Sequence, residues 1–221
     1  MSDPGYWITE GHLSPTECAA LIAALSQPGV KRGRAGTRHL MARPEIATLA
    51  SDPRLLGIAK ETLGHSAVAY RATLFEKSGR ANWLVSWHQD TVLPITNLVA
   101  SREWAGQSMK AGVRYARAPA RILERILGLR VHLDDSTFAN GPLRVFPGSH
   151  RAGVLTEEAI LDIARHQEPV ECPVSQGGIM MMRPLLLHSS SKACVALPRR
   201  VLHIEYTGSM DLGEGIRLAI A

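Results

Sequence analysis

The sequence predicts an α+β fold, mainly β, in which helices from the N-terminal third cover an antiparallel β core. Three observations carry this. The first 66 residues hold two capped, one-sided apolar helices. From residue 67 onward, short β-like runs alternate with Gly/Pro turn signals, the pattern of a sandwich or barrel. Finally, 45% hydrophobic and 20% charged residues over 221 positions suit one folded domain.

Ser14-Pro15-Thr16-Glu17 reads as a capping box with proline at the first helical position. Cys18, Leu21, Ile22 and Leu25 then form one apolar stripe, and Pro28-Gly29 stops it. A second helix starts at Asp52-Pro53, turns Leu55, Leu56, Ala59 and Leu63 inward and ends at Gly64. Strands are expected at about 67–76, 83–88, 129–133, 143–146, 169–174, 178–182, 185–189, 199–207 and 214–220. One helix, about 156–166, interrupts them. Thr156 caps it, Glu157 and Glu158 stand in its first turn, and Arg165 and His166 in its last, as the helix dipole favours. The segment 91–128 stands apart as a long polar stretch with Trp104 and Met109, followed by a helix through Ile122 and Leu127. Its length marks it as a lid insertion over a site.

Composition narrows the function classes. The longest apolar run, Cys18 to Leu25, is far short of the roughly 20 residues that span a bilayer. No signal peptide is apparent at the start. Three scattered cysteines (Cys18, Cys172, Cys194) form no CxxC pair, fit a reducing cytoplasm and read as small buried apolar residues. The net charge of +5 is concentrated in Lys31, Arg32, Arg34, Arg38 and Arg43, where no aromatic interleaves. Nucleic-acid stacking is therefore not suggested, and the stretch reads as a solvated loop or as a clamp on an anionic substrate.

Two His-x-Asp pairs could carry metal chemistry, His88-Gln89-Asp90 and His132-Leu133-Asp134. In a strand, residues i and i+2 share a face, so either pair aims an imidazole and a carboxylate at one point. A distant histidine, His150 or His188, would complete a two-histidine, one-carboxylate triad with open metal positions, the arrangement of non-haem Fe(II) oxygenases. A 2-keto acid cosubstrate also needs a cation for its far carboxylate. Arg199 and Arg200 lie one turn and one return strand beyond His188. Arg199 shares a face with Val201, His203 and Glu205, while Arg200 shares one with Leu202, Ile204 and Tyr206, and spacing leaves the choice between them open. Arg130 and His132 would share a face of their own strand. Spacing alone chooses neither the pair nor the distal histidine.

Several segments in order resemble the phytanoyl-CoA dioxygenase family of Fe(II)- and 2-oxoglutarate-dependent oxygenases. They are Leu74 to Lys77, Asn82-Trp83 leading into Trp87 to Asp90, His132 to Asp135, Asn140 to His150, His188 with Ser190, and Arg199 to His203. Together they run from about residue 67 to 207. The resemblance implies a double-stranded β-helix (jelly-roll, cupin-like) core over about 67–221, beneath a helical cover over about 1–66. It implies His88, Asp90 and His188 as iron ligands, Arg199 as partner of the 2-oxoglutarate C5 carboxylate, and Ser190 and Thr73 as further cosubstrate contacts. For His150 and the Asn-Gly and Pro-Gly turns around it, it implies a framework role. The sequence departs from the family where an asparagine often follows the distal histidine; here the run is Ser189-Ser190-Ser191.

The function implied is oxidation of a small molecule with Fe(II), 2-oxoglutarate and O2, with release of succinate and CO2. Related halogenases replace the carboxylate ligand with a small residue, so Asp90 favours hydroxylation. The alternative is a non-catalytic, cupin-like metal- or ligand-binding protein. Neither substrate identity nor oligomeric state is legible, and no nucleic-acid or membrane partner is expected.

Overall fold

Two stacked β-sheets frame the site in the computed structural model, which describes residues 3–27, 36–78, 82–97 and 103–221. In chain order the elements are β1 (Tyr6–Thr9), α1 (Pro15–Leu25), α2 (Pro44–Ala50), α3 (Pro53–Leu63), β2 (Val68–Lys77), β3 (Val85–His88) and β4 (Val92–Ile95). Then come β5 (Ala105–Lys110), β6 (Val113–Arg117), α4 (Ala120–Leu123), β7 (Ile126–His132), β8 (Leu143–Val145), α5 (Glu157–His166) and β9 (Val170–Cys172). The chain ends with β10 (Ile179–Met182), β11 (His188–Ser190), β12 (Arg199–Thr207), β13 (Asp211–Gly213) and β14 (Ile216–Arg217). The larger sheet has the order β1-β10-β7-β12-β2 and the smaller β3-β11-β8-β9, with antiparallel pairing throughout.

The two faces of the larger sheet differ. On its outer face Leu129, Val131, Leu202, Ile204 and Tyr206 pack with Cys18, Leu25, Ile46, Leu49, Leu55 and Ala59 of the three N-terminal helices. Each fully buried aliphatic side chain there contributes about 1.5–3 kcal/mol, so the helices are held by packing more than by propensity. The inner face is polar: Arg71, Thr73, Phe75 and Lys77 of β2 stand opposite Glu205, His203, Val201 and Arg199 of β12. Beyond the polar zone, Leu143, Val145 and Cys172 of the smaller sheet close on Met180, Met182 and Tyr6 of the larger. This is the jelly-roll core with an α cover.

α1 carries the expected capping box, with Ser14 and Glu17 bonding each other's backbone, and Thr156 caps α5. The segment 91–128 differs from expectation. It is mostly a separate three-stranded sheet, β4-β6-β5, and its helix is only the four residues of α4. Leu127 belongs to β7, whose seven residues are all buried. A strand buried on both faces reads as a continuous apolar run and so imitates a buried helix. Trp104 is 5% exposed within an apolar cluster, and Met109, 58% exposed, points to solvent, so neither roofs the site. Two of the three cysteines are buried, whereas Cys194 is exposed. Among the described residues no helix is long and apolar enough to cross a membrane. Lys31, Arg32 and Arg34 lie outside the described residues.

Candidate metal centre and its two pockets

β3 and β11 pair so that His88 and His188 stand directly opposite each other. Between this pair and the next, Ser190 with Val85, the register slips by one residue, a bulge of the kind that re-aims side chains beside functional sites. The two imidazole centroids are 4.2 Å apart. Asp90 follows the end of β3, its N–H donating to the Pro184 carbonyl at 2.8 Å. Its carboxylate lies 3.9 Å from His88 Nε2 and 3.7 Å from His188 Nε2. One ligand atom from each of the three residues falls within 4.8 Å of the others, spacing that can hold a single metal ion, and no other such cluster occurs among the described residues.

The main chain orients both histidines so that each could offer Nε2 to a metal ion. His88 Nδ1 sits 2.8 Å from the Ser86 carbonyl and His188 Nδ1 2.8 Å from the Leu186 carbonyl. A carbonyl only accepts, so Nδ1 carries the proton and the Nε2 lone pair faces Asp90. Burial, reinforced by His88, pushes His188 down to about 3 and keeps it neutral at physiological pH. Burial alone would raise Asp90, but His188, His88, His203 and Arg71 together hold it well below the usual carboxylate range. Gln89, between the two ligands, donates to the Gly153 and Leu185 carbonyls and accepts from Leu155 N–H, which locks the turn.

The second His-x-Asp pair is structural. His132 is buried with Nδ1 against Ser136 Oγ at 2.8 Å, and Asp134 forms two 2.7 Å contacts with the Arg200 guanidinium. His150 sits beside Asp3, Nε2 to Oδ1 3.8 Å, and its ring occupies the space a side chain at Gly5 would need.

On one side of the triad is a narrow pocket of about 50 Å³ that includes Lys77, Arg130, Ser190 and Arg199 among its walls. All four are buried, and Asp90 supplies the one carboxylate lining the pocket. Among the described residues, Nε and Nη1 of Arg199 and Nε of Arg130 have no hydrogen-bond partner. Burial lowers Arg199 to about 9 and Arg130 to about 10. Lys77 Nζ donates to Ser190 Oγ at 2.7 Å and to the Ser191 carbonyl, while Ser190 Oγ donates to the Gly141 carbonyl at 2.9 Å. Unpaired buried cations are costly, so this pocket is built to receive an anion. Sequence reasoning had Lys77 only as part of a matching segment; its alternation with Phe75 on the inner face of β2 was the available signal.

On the other side lies a cavity of about 290 Å³ that contains Thr73, placed by β2 next to Phe75 and away from Arg199 and Ser190. Phe75, His88 and Asp90 line both spaces. The larger cavity is bordered by Arg38, Arg71, Lys110 and Tyr115. Arg38 belongs to the basic stretch 31–43, whereas nothing in the sequence singles out Lys110 and Tyr115 within the polar segment.

Residues 1–201 match the family model described as phytanoyl-CoA dioxygenase. The ectoine dioxygenase of Sphingopyxis alaskensis is 26% identical over 186 residues, covering 74% of this chain and 54% of that protein. The chain thus spans about half the length of that curated relative. The crystal structure of EctD from S. alaskensis with 2-oxoglutarate and 5-hydroxyectoine superposes with a TM-score of 0.68 at 24% identity, covering 92% of this chain and 72% of that one. The non-heme alpha ketoglutarate dependent epimerase SnoN from nogalamycin biosynthesis gives 0.67 at 19% identity, covering 94% and 79%. At such identities the structural likeness is one of fold. The family match, which runs through the triad and β2 and reaches Arg199 at the start of β12, identifies the chain as a member of the phytanoyl-CoA dioxygenase family.

Proposed function

We propose that this chain is a non-haem Fe(II)- and 2-oxoglutarate-dependent dioxygenase that hydroxylates a small molecule, consuming O2 and releasing succinate and CO2. One observation carries the reading: a His88–Asp90–His188 donor set lies beside a pocket of three buried cations, one of which has two unpartnered N–H groups. Two imidazoles and one carboxylate suit Fe(II) and leave positions open for a chelating keto acid. The metal would supply oxygen activation; the protein's own groups bind and orient.

Arg199 is the bidentate donor for the far carboxylate of 2-oxoglutarate, with Lys77 and Arg130 adding charge and Ser190 holding Lys77 in place. The narrow pocket suits a carboxylate arm, with the keto-acid end at the triad. Thr73 has its place at the boundary with the larger cavity, where the substrate C–H approaches the metal. That substrate is a small molecule, and the free cations around the cavity favour an anionic one. The same proposal treats residues 1–221 as one catalytic domain and places it in a reducing cytoplasm, in keeping with three free cysteines.

The test is an anaerobic titration of metal-free protein with Fe(II) and 2-oxoglutarate, reading the visible iron-to-cosubstrate charge-transfer band. A saturable band with one equivalent of each is the expected result. A folded protein that binds Fe(II) but gives no band would instead be the non-catalytic, cupin-like binding protein.

A further inference from the structure

Arg38 and Lys110 border the larger cavity, both exposed, and neither forms an ion pair with a described residue. Burial first, then the charges of Arg38 and Arg71, lower Lys110 from its usual value. Arg71 is already committed: its Nε donates to Glu205, and its Nη1 donates to the Val92 carbonyl at 2.8 Å. Asp90 is the one carboxylate in the lining, and it belongs to the triad. A ligand ammonium would therefore meet no free acid here, whereas an acidic group would meet two free cations.

These cations are held in place by rigid structure. Thr37 pairs with Leu74 of β2 through two backbone hydrogen bonds of 2.9 and 2.8 Å. Gly36, at φ +125°, lies so close to β2 that a Cβ would stand 1.9 Å from the Leu74 carbonyl oxygen. On the other side of Arg38, His39 adopts a left-handed conformation (φ 60°, ψ 37°) that costs a non-glycine residue about 1–2 kcal/mol. Its Nε2 meets the Tyr115 hydroxyl at 2.8 Å, and the two rings stack at 14°. Tyr115 also places its ring 5.2 Å from the Lys110 ammonium. Lys110 ends β5 just before a turn whose two central residues, Ala111 and Gly112, both have positive φ, the tight-hairpin geometry. One buried tyrosine thus ties together the loop bearing Arg38 and the hairpin bearing Lys110.

We propose that this cavity is the substrate site and that Arg38 and Lys110 clamp a carboxylate or phosphate on a small acidic substrate, placing its reacting carbon toward His88 and Asp90. The assignment of a substrate rests on the oxygenase reading of the triad; the anion site itself does not. A volume of about 290 Å³ is at the small end for ligand sites and suits a single metabolite-sized acid.

The test is site-resolved NMR of the labelled full chain, titrated with inorganic phosphate and, separately, acetate. Shifts should appear at Arg38, Lys110 and Tyr115. Arg38→Ala or Lys110→Ala should weaken that binding about tenfold, the worth of one charge-assisted hydrogen bond, while Arg199→Ala leaves it intact. Tighter phosphate than acetate binding assigns a phosphate ester, and the reverse a carboxylate. Shifts confined to the Arg199 pocket, or unchanged binding in both variants, would overturn the proposal. Failure here with the charge-transfer band intact removes only the clamp. Anion binding here with no band in the wild type removes only the oxygenase reading.

Discussion

Lys77 and Arg199 are direct partners across β2 and β12, two buried cations side by side with no carboxylate between them. Like charges in that position repel, and burial adds to the cost. Burial first, then Arg199, Arg144 and Arg130, lower Lys77 from 10.5 to about 7. An anion in the pocket would restore its proton.

The affinity for 2-oxoglutarate is therefore expected to fall as pH rises above about 7, because binding must then take up a proton. Lys77→Met should flatten this slope. Calorimetry in two buffers of different ionisation enthalpy reads the proton uptake directly. In the empty protein the linkage has a definite sign. The unfolded lysine stays protonated to about 10.5 and the folded one to about 7, so Lys77 makes stability rise with pH between those values.

Arg199 and Arg200 separate cosubstrate binding from stability. Arg200 is bound by Asp134 through Nε, Nη2 and its own backbone N–H. Arg200→Ala should cost about 2 kcal/mol in urea unfolding while leaving 2-oxoglutarate affinity unchanged. Arg199→Ala should weaken 2-oxoglutarate at least tenfold, with stability unchanged or improved, because it removes an unpaired buried charge.

The two His-x-Asp pairs are distinguished by metal binding. His88→Ala and Asp90→Gly should abolish stoichiometric Fe(II) binding measured under anaerobic conditions. His132→Ala should keep it and lose stability instead, since its ring fills a closed site against Ser136. Retained Fe(II) binding in Asp90→Gly would remove Asp90 from the metal shell.

Gly128 makes room for His203. A Cβ at Gly128 would stand 2.5 Å from the imidazole Cε1, and His203 in turn packs against Phe75 with ring centroids 6.0 Å apart. Gly128→Ala should cost about 1–3 kcal/mol through overpacking. By pressing His203 on Phe75, which lines both pockets, it should also raise the Kd for 2-oxoglutarate. Thermal unfolding and cosubstrate titration of the same variant check both effects.

The parts that carried their own local signal could be read from the sequence. Ser14 with Glu17 announced α1, Thr156 announced α5, and the alternation from Arg199 to Tyr206 separated a polar face from an apolar one. The two His-x-Asp pairs look alike in one dimension; only the pairing of Asp134 with Arg200 and of His188 with His88 across strands distinguishes them. β5 was hidden because all six of its residues are exposed and show no period. β1 was hidden because four residues at a sheet edge leave little trace. Lys110 and Tyr115 had no signal at all, since Tyr115 contacts His39 far away in the chain and Lys110 joins them through the Tyr115 ring.

The main-chain carbonyls of Ser86 and Leu186 orient the two histidines. The loop at Arg38 and the β5–β6 hairpin, by contrast, lie outside both jelly-roll sheets. Replacing residues in that loop and hairpin should leave the two carbonyl contacts in place. Inheritance can thus retain the reactive centre whole while the recognition of substrates diversifies around it.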